Sequence, residues 1–419
     1  MSEFLPRPRW TTNQPARTDG IQNGESPPLL DFVYLLVEAG YTLETSPVLA
    51  TQVIDRIKVQ RAHGMSTGLV TVSRDPEAFA STVAPILTET QSPYICIGPS
   101  RLPVRLFNAA FAVRRILRRH GAKYVYVRDP WSALAHQLAF PIGGPDLIYD
   151  MRGDVVAEAR FRGSSRPRRW VLDRLVSRAV HRSSHHAAVS SAGAWLVTEK
   201  YGASDVNVMP SCVDITRFDR DSPERQVIRR RLQLGENDVL VVYSGGSQRY
   251  QMLPQMFDIW RLMAGNKSVH FLALTNSIDP NENIDLPGDR FTRLSVDRNE
   301  VPGYLNAADI GFLLRARHPL NEVASPVKFG EYLASGLTVI SSPGIGDVSR
   351  LIEREGLGIL VDADQPAQAA NASLSLVNEL RGDHLARSQK SRNAARDYYD
   401  WESYTAIWED MLHGDAPTS

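Results

Sequence analysis

Ser325-Pro326-Val327-Lys328-Phe329-Gly330-Glu331-Tyr332-Leu333-Ala334-Ser335-Gly336, running into the apolar segment Leu337 to Ile340, is the stretch that decides the fold class. Ser325 is a favourable N-cap and Pro326 suits a first helical position, where its missing N–H costs nothing. Gly336 then stops the helix just ahead of a short apolar strand. A capped helix that feeds directly into such a strand is one half of an α/β repeat.

Reading outward from it, the same alternation recurs. Upstream and downstream, strand-like runs at Val239 to Tyr243, His270 to Leu274, Ile310 to Leu314, Leu337 to Ile340 and Ile359 to Val361 are separated by helical patterns, the first of them preceded by the helical Glu224 to Leu234. An earlier cycle has strands at Phe32 to Val37, Leu69 to Val72, Tyr94 to Ile97, Tyr124 to Val127, Leu147 to Tyr149, Ala187 to Ser190 and Val206 to Met209. Its helices fall near Val48 to Ala62, Val104 to Arg119 and Ser132 to Ala139. Short apolar strands alternating with helices make parallel sheets covered on both faces. The pause around Ser211 to Arg220 divides them into two doubly wound, Rossmann-like domains, 29–213 and 214–395, with 396–419 as a C-terminal helix packing back toward the first and 1–28 as a flexible tail outside the fold. In such sheets ligands bind beyond the carboxyl ends of the strands, so the expected site is a cleft faced by both domains.

The opening stretch lies on such an edge. The N–H groups of Val327 and Lys328, at the positive end of their helix, suit an anion, and Lys328 adds a mobile charge. Glu331, three residues on and nearly on the same face, can accept from two neighbouring hydroxyls. Phosphate and vicinal diol together read as a nucleoside diphosphate. A capped surface helix with one i,i+3 ion pair is the other reading of these residues. After the first strand of the second half, Gly245 and Gly246 allow close approach of backbone to ligand, and Arg249 could clamp phosphate oxygens, although a plain turn has the same composition. Pro343-Gly344-Ile345-Gly346-Asp347 reads as a tight strand-to-helix turn with Asp347 as N-cap.

The segment Ala308-Asp309-Ile310-Gly311, then Ala324 to Gly336, then Val339-Ile340, resembles the donor half of GT-B glycosyltransferases of the family 4 type. Val208-Met209-Pro210-Ser211-Cys212-Val213-Asp214-Ile215-Thr216-Arg217-Phe218 is similar to that family's interdomain P-N-G-V-D segment, and Ala395 to Leu412, with Trp401, to its closing helices. The resemblance implies two Rossmann-like domains facing across a cleft, a nucleotide-sugar donor, and transfer with retention at the anomeric carbon to a glycan or lipid-linked acceptor. Glu331 matches the second glutamate of the family's E-x7-E motif, which binds the donor ribose. The first falls at Val323, with Glu322 one residue out of step. The donor-binding set implied is Gly245, Gly246, Arg249, Ser325, Pro326, Val327, Lys328 and Glu331, with no counterpart for the family's phosphate-binding lysine after the first strand of the second half.

In the first half, Tyr149-Asp150-Met151-Arg152-Gly153-Asp154 ends a strand where such enzymes place a polar residue near the transferred sugar. Asp150, Arg152 and Asp154 are therefore the catalytic candidates, and a helix-capping loop with Arg152 paired to an acid is the alternative. Arg128-Asp129-Pro130 is a parallel case, and Glu38 to Pro47 matches the position of the family's acceptor loop. Charge developing on the leaving diphosphate would be stabilised by the helix start, Lys328 and Arg249, so no metal or cofactor is expected. Asp362-Ala363-Asp364 follows the last strand and reads as a turn rather than a metal-binding D-x-D, and His185, His186 and His318 lack a matching ligand set.

The 419 residues hold 47 basic and 47 acidic side chains, so no overall field draws the chain to nucleic acid. Cys96 and Cys212 lie far apart without metal-ligand spacing, and neither a signal-peptide layout nor an apolar run of about 18 residues is found, so the chain reads as cytoplasmic. Between Arg160 and His186, eight arginines meet a single acid, Asp173, among apolar residues including Trp170 and Val171. With the arginine pairs of Val104 to Arg119, this predicts peripheral attachment to an anionic inner membrane face, while a solvated basic face has the same pattern. Two other classes stay open: a nucleotide-sugar 2-epimerase on the same architecture, and a catalytically inactive GT-B scaffold in glycan assembly.

Overall fold

The computed structural model describes residues 10–13, 29–37, 49–275 and 289–413, and the loop Glu38 to Pro47 lies outside them. Two compact units are present, the first from the described residues of 1–189, 193–209 and 404–419, the second from 190–192 and 210–403.

In the first unit, β1 (Trp10–Asn13), β2 (Leu30–Leu36), β3 (Thr67–Val72), β4 (Tyr94–Ile97), β5 (Ala122–Val127), β6 (Asp146–Met151), β7 (His185–Ala188) and β8 (Val206–Val208) form one sheet in the order β1-β4-β3-β2-β5-β6-β7-β8. All pairs are parallel except β1 against β4. Strand β1 lies inside the segment read as a tail, and pairs Trp10 with Ile97 through Asn13 with Tyr94. Its pairing covers backbone groups that β4 would otherwise present as an open edge.

The two faces of this sheet differ in chemistry. Val33, Leu35, Val70, Val72, Val125, Val127, Leu147 and Tyr149 point into an aliphatic core shared with the helices Leu102–His120, Pro130–Ala139 and Arg166–His181. The alternate residues Phe32, Tyr34, Tyr124 and Tyr126 make an aromatic face, with Tyr34 and Tyr126 rings 5.1 Å apart. Against it Arg56, fully buried, donates to Tyr126 Oη at 2.7 Å and lies 4.9 Å from the ring of Trp408 in the C-terminal helix Thr405–His413. Strong aromatic and hydroxyl contacts offset the cost of burying that guanidinium.

The second unit contains β9 (Val239–Ser244), β10 (Val269–Leu274), β11 (Phe291–Leu294), β12 (Ile310–Leu313), β13 (Thr338–Ser341) and β14 (Gly358–Leu360), all parallel, in the order β11-β10-β9-β12-β13-β14. Successive strand residues alternate between two apolar cores: Leu240 and Val242 enter one, Val239, Val241 and Tyr243 the other. Both are closed by helices, as continuous apolar strands require. The strand order reverses between β2 and β5 in the first unit and between β9 and β12 in the second, the positions where doubly wound sheets bind ligands.

His136, in the helix Pro130–Ala139, is buried, and burial lowers its protonation from 6.5 to about 4. The unfolded imidazole protonates first on acidification, so this group's stabilisation is complete above about pH 6.5 and is lost as the pH falls toward 4. The loss amounts to about 3 kcal/mol. In urea denaturation at pH 7.5 and 4, His136→Phe should lose less stability than the wild type by about that difference.

Candidate functional site

At the carboxyl edge of the second sheet, β9 runs into Gly245 and Gly246 and then a single turn Arg249–Gln251. Tyr243, buried at the end of β9, donates to Gly246 O at 2.5 Å and lies 2.7 Å from Gln251 Oε1. Burial pushes its phenol well above the usual range, so it acts as a neutral donor. Tyr332 Oη accepts from Ser244 N–H at 2.9 Å and tethers the following helix to β9. The ring of Tyr332 fits because residue 311 is glycine; a Cβ there would approach the ring to 2.4 Å.

That helix, Val327–Ala334, starts one residue later than its sequence suggests. Pro326 occupies the N-cap in an extended conformation and no side chain caps the helix. Ser325 is drawn away from capping because its Oγ accepts from Ser211 N–H at 2.9 Å. The N–H groups of Val327 and Lys328 still lead the first turn without intrahelical acceptors. Gly336 terminates the segment as expected, with φ of 71°.

Lys328 Nζ donates to Gln251 Oε1 at 2.6 Å and sits 4.3 Å from the centre of the Tyr243 ring. Arg315, two residues beyond the end of β12, stacks its guanidinium 4.7 Å over Tyr250. Among the described residues, no carboxylate lies within ion-pair distance of either cation. Burial, then the nearby charge of Arg315, pull the Lys328 ammonium well below its ordinary value, against an opposing effect of Glu331. Burial likewise lowers Arg315. Glu331 is half-buried one helical turn beyond Lys328. Two like-charged, desolvated cations beside a helix start form a site that an anion would complete.

Gly245 is what lets Lys328 reach this position. Its φ of 147° strains any other residue, and a Cβ there would stand 2.5 Å from Lys328 Nζ. Gly245→Ala should therefore displace the ammonium and weaken nucleotide affinity roughly tenfold or more, with stability lowered by about 1–3 kcal/mol; titration calorimetry and chemical denaturation measure the two.

The other candidates on this edge fall less centrally. Gly246 offers its carbonyl to Tyr243, while the side chain of Arg249 is exposed. Arg315 is the cation that sequence reasoning missed; it follows the apolar run Ile310 to Leu314, and only the reversal of strand order gives that position meaning. Val323 is buried and its carbonyl accepts from Ser190 Oγ at 3.0 Å, whereas Glu322 is exposed. Asp347 does not cap the helix Gly346–Glu355; Ile345 holds that position, and Asp347 instead accepts from Ser191 N–H at 2.7 Å. Asp362 Oδ1 accepts from Asp364 N–H at 3.0 Å, making that segment a turn.

In the first unit, the penultimate residue of β6 is Asp150, which is fully buried. Its Oδ2 lies 3.3 Å from Arg152, 3.8 Å from Arg56 and 4.0 Å from Arg128. Arg152 also donates to Gln52 Oε1 at 2.5 Å and Met209 O at 3.3 Å. Asp154 Oδ1 accepts from the N–H groups of Val156 and Ala157, both at 2.9 Å, as N-cap of the helix Val155–Phe161. Asp150 is thus enclosed by arginines, and Asp154 serves as a helix start, the helix-capping arrangement that the sequence also allowed. Asp129 is likewise an N-cap, of Pro130–Ala139.

Residues 49–217 match the family model described as Glycosyltransferase Family 4. Sucrose-phosphate synthase from Thermosynechococcus elongatus superposes with a TM-score of 0.70 at 15% identity, covering 93% of this chain and 100% of its own. The chain has the GT-B fold, and its residues 49–217 are similar to Glycosyltransferase Family 4. A glycosyltransferase from Rickettsia africae superposes on this GT-B chain with a TM-score of 0.68 at 13% identity, covering 93% of this chain and 100% of its own. HepE of Anabaena, in complex with UDP-glucose, does so with a TM-score of 0.66 at 14% identity, covering 91% and 99%. Among curated proteins no sequence matches.

Proposed function

We propose that this chain is a retaining glycosyltransferase that moves a sugar from a nucleotide-sugar donor to a glycan or lipid-linked acceptor in polysaccharide or glycoconjugate assembly. The observation that carries the reading is the pair Lys328 and Arg315, two shielded cations without a carboxylate partner among the described residues, at the strand-order reversal of the second sheet. A donor diphosphate placed there accepts from Lys328, Arg315 and the first N–H groups of Val327–Ala334, with Glu331 one turn on for the ribose hydroxyls. As the sugar–oxygen bond breaks, negative charge grows on the leaving diphosphate, and the same groups stabilise it more strongly than the ground state. The binding of UDP-glucose by HepE supports a nucleotide-sugar donor. No metal enters this scheme.

Incubation with UDP-, GDP- and ADP-sugars and lipid-linked acceptors tests the proposal, with the anomeric configuration of product read by NMR. Transfer with retention supports it. Sugar isomerised at C2 without acceptor would favour the epimerase reading, and donor binding without any product the scaffold reading.

The acceptor side is proposed to rest on an anionic membrane surface. Val104, Phe107, Phe111, Leu138, Trp170 and Val171 are exposed on the helices Leu102–His120, Pro130–Ala139 and Arg166–His181, which pack side by side in that order. Arginines interleave with them, giving apolar insertion and charge attraction together. No described helix is long and apolar enough to cross a membrane. Flotation should show binding to vesicles containing phosphatidylglycerol and little to pure phosphatidylcholine. Phe107→Asp with Trp170→Asp should reduce that binding about tenfold or more; equal flotation with both vesicle types would contradict it.

A further inference from the structure

A second basic site lies at the opposite edge of the second sheet. Asp309, which directly precedes β12, is buried and receives three guanidinium groups: Arg220 at 2.9 Å, Arg225 at 2.9 Å and Arg229 at 3.0 Å. Leu240 N–H donates to the same carboxylate at 2.9 Å, so the cluster sits at the amino ends of β9 and β12. The six residues of β9 put it about 17 Å from the Lys328 edge.

Within the cluster one carboxylate faces three guanidiniums; over the whole lining Arg381 and Arg392 bring the arginines to five, and Asp221, Glu236 and Asp238 bring the carboxylates to four, so one positive charge is in surplus. Backbone carbonyls of Ala307, Ala308 and Ser335 satisfy several of the N–H groups, but carbonyls cancel no charge. The group faces a cavity of about 710 Å³, of the size that holds a small-molecule ligand. Arg381 and His384 line it as well. Arg381 spends one N–H on Ser268 Oγ, and among the described residues neither it nor Arg225 uses its Nε–H. Ser388, another lining residue, is buried with a hydroxyl that finds no partner among the described residues. Burial brings Arg220 down to about 10, against the pull of Asp309.

We propose that this cavity binds a phosphate monoester of sugar-phosphate size, as a site separate from the nucleotide-sugar site. A phosphate monoester is an anion, opposite in sign to the net charge of the lining, and its oxygens fit the forked donors of Arg225 and Arg381.

The test uses full-length protein carrying Lys328→Ala and Arg315→Ala, which silences the other anion site. Titration calorimetry with a hexose 6-phosphate should give saturable binding at one site per chain, and sodium chloride at matched ionic strength should give none. Adding Arg225→Gln should weaken that binding at least tenfold, and Arg381→Gln should weaken it several-fold with the fold intact by circular dichroism. If Arg225→Gln does not fold, Arg381→Gln alone and Arg225→Lys decide. No saturable heat, the same response to chloride, or unchanged affinity in well-folded variants overturns the proposal. Because the parent already lacks the nucleotide-sugar cations, each of these results is independent of the glycosyltransferase reading.

Discussion

Replacing Lys328 with alanine is expected to lower sugar transfer about 10²- to 10³-fold, the scale of removing one donor that meets charge in the transition state. Arg315→Ala should act similarly, and Arg315→Lys should recover part of the loss by restoring charge without the planar fork. The decisive companion is stability. Burial disfavours the Lys328 ammonium in the unliganded protein, and Gln251 Oε1 still has Tyr243 beside it if the lysine is removed. Lys328→Met should therefore unfold no earlier than the wild type, and later at neutral pH. The advantage follows the sign of the shift: a lysine held below its ordinary value penalises the folded state at low pH, and the penalty fades as the pH climbs from that depressed value toward 10.5. Kinetics and urea denaturation of the same preparations would show activity and stability moving in opposite directions. A parallel fall in both would mean that Lys328 is structural.

Asp309→Ala is expected to have the largest effect on folding, about 3–5 kcal/mol, because it leaves three buried guanidiniums with no carboxylate. Burial acts to raise the Asp309 carboxyl, but the His384 contact and the three arginines outweigh it and hold it well below the usual range. Its stabilisation is thus present above about pH 3.8 and is lost only as the pH falls through the much lower folded value. Asp309→Asn keeps the shape but loses the charge and should cost most of the same amount. Chemical denaturation at pH 7 reads both. Losses under about 1 kcal/mol would show that the carbonyl bonds alone hold the arginines.

The core strands were legible because each is a short apolar run with both faces buried, as Val239 to Tyr243 and Tyr124 to Val127 illustrate. Strands β1 and β11 were not. Both are four-residue edge strands; Phe291–Leu294 is only half-buried and carries Arg293, while Trp10–Asn13 stands amid proline and charge. The helix stop at Gly336 was readable from backbone preference alone. The start was not, because Ser325 had two possible partners and the competing one, Ser211, lies 114 residues away in sequence. The same limit hid Arg315: nothing local marks it, and its meaning comes from strand order, which brings β12 beside β9. Asp150 and Asp154 show the converse. Their position at a strand end was read correctly, but whether a carboxylate there meets substrate or its own backbone depends on Arg56 and Arg128 from other segments, on Arg152 two residues away, and on the helix that follows.

Titration calorimetry of nucleoside diphosphates against wild type, Lys328→Ala and Arg315→Ala tests the central claim most directly. The account predicts that one of UDP, GDP and ADP binds the wild type preferentially and at least about 100-fold more weakly to either variant, a difference of about 2.7 kcal/mol. Equal affinity in all three proteins, or no binding of any diphosphate to the wild type, would contradict the assignment of Lys328 and Arg315 as the diphosphate site.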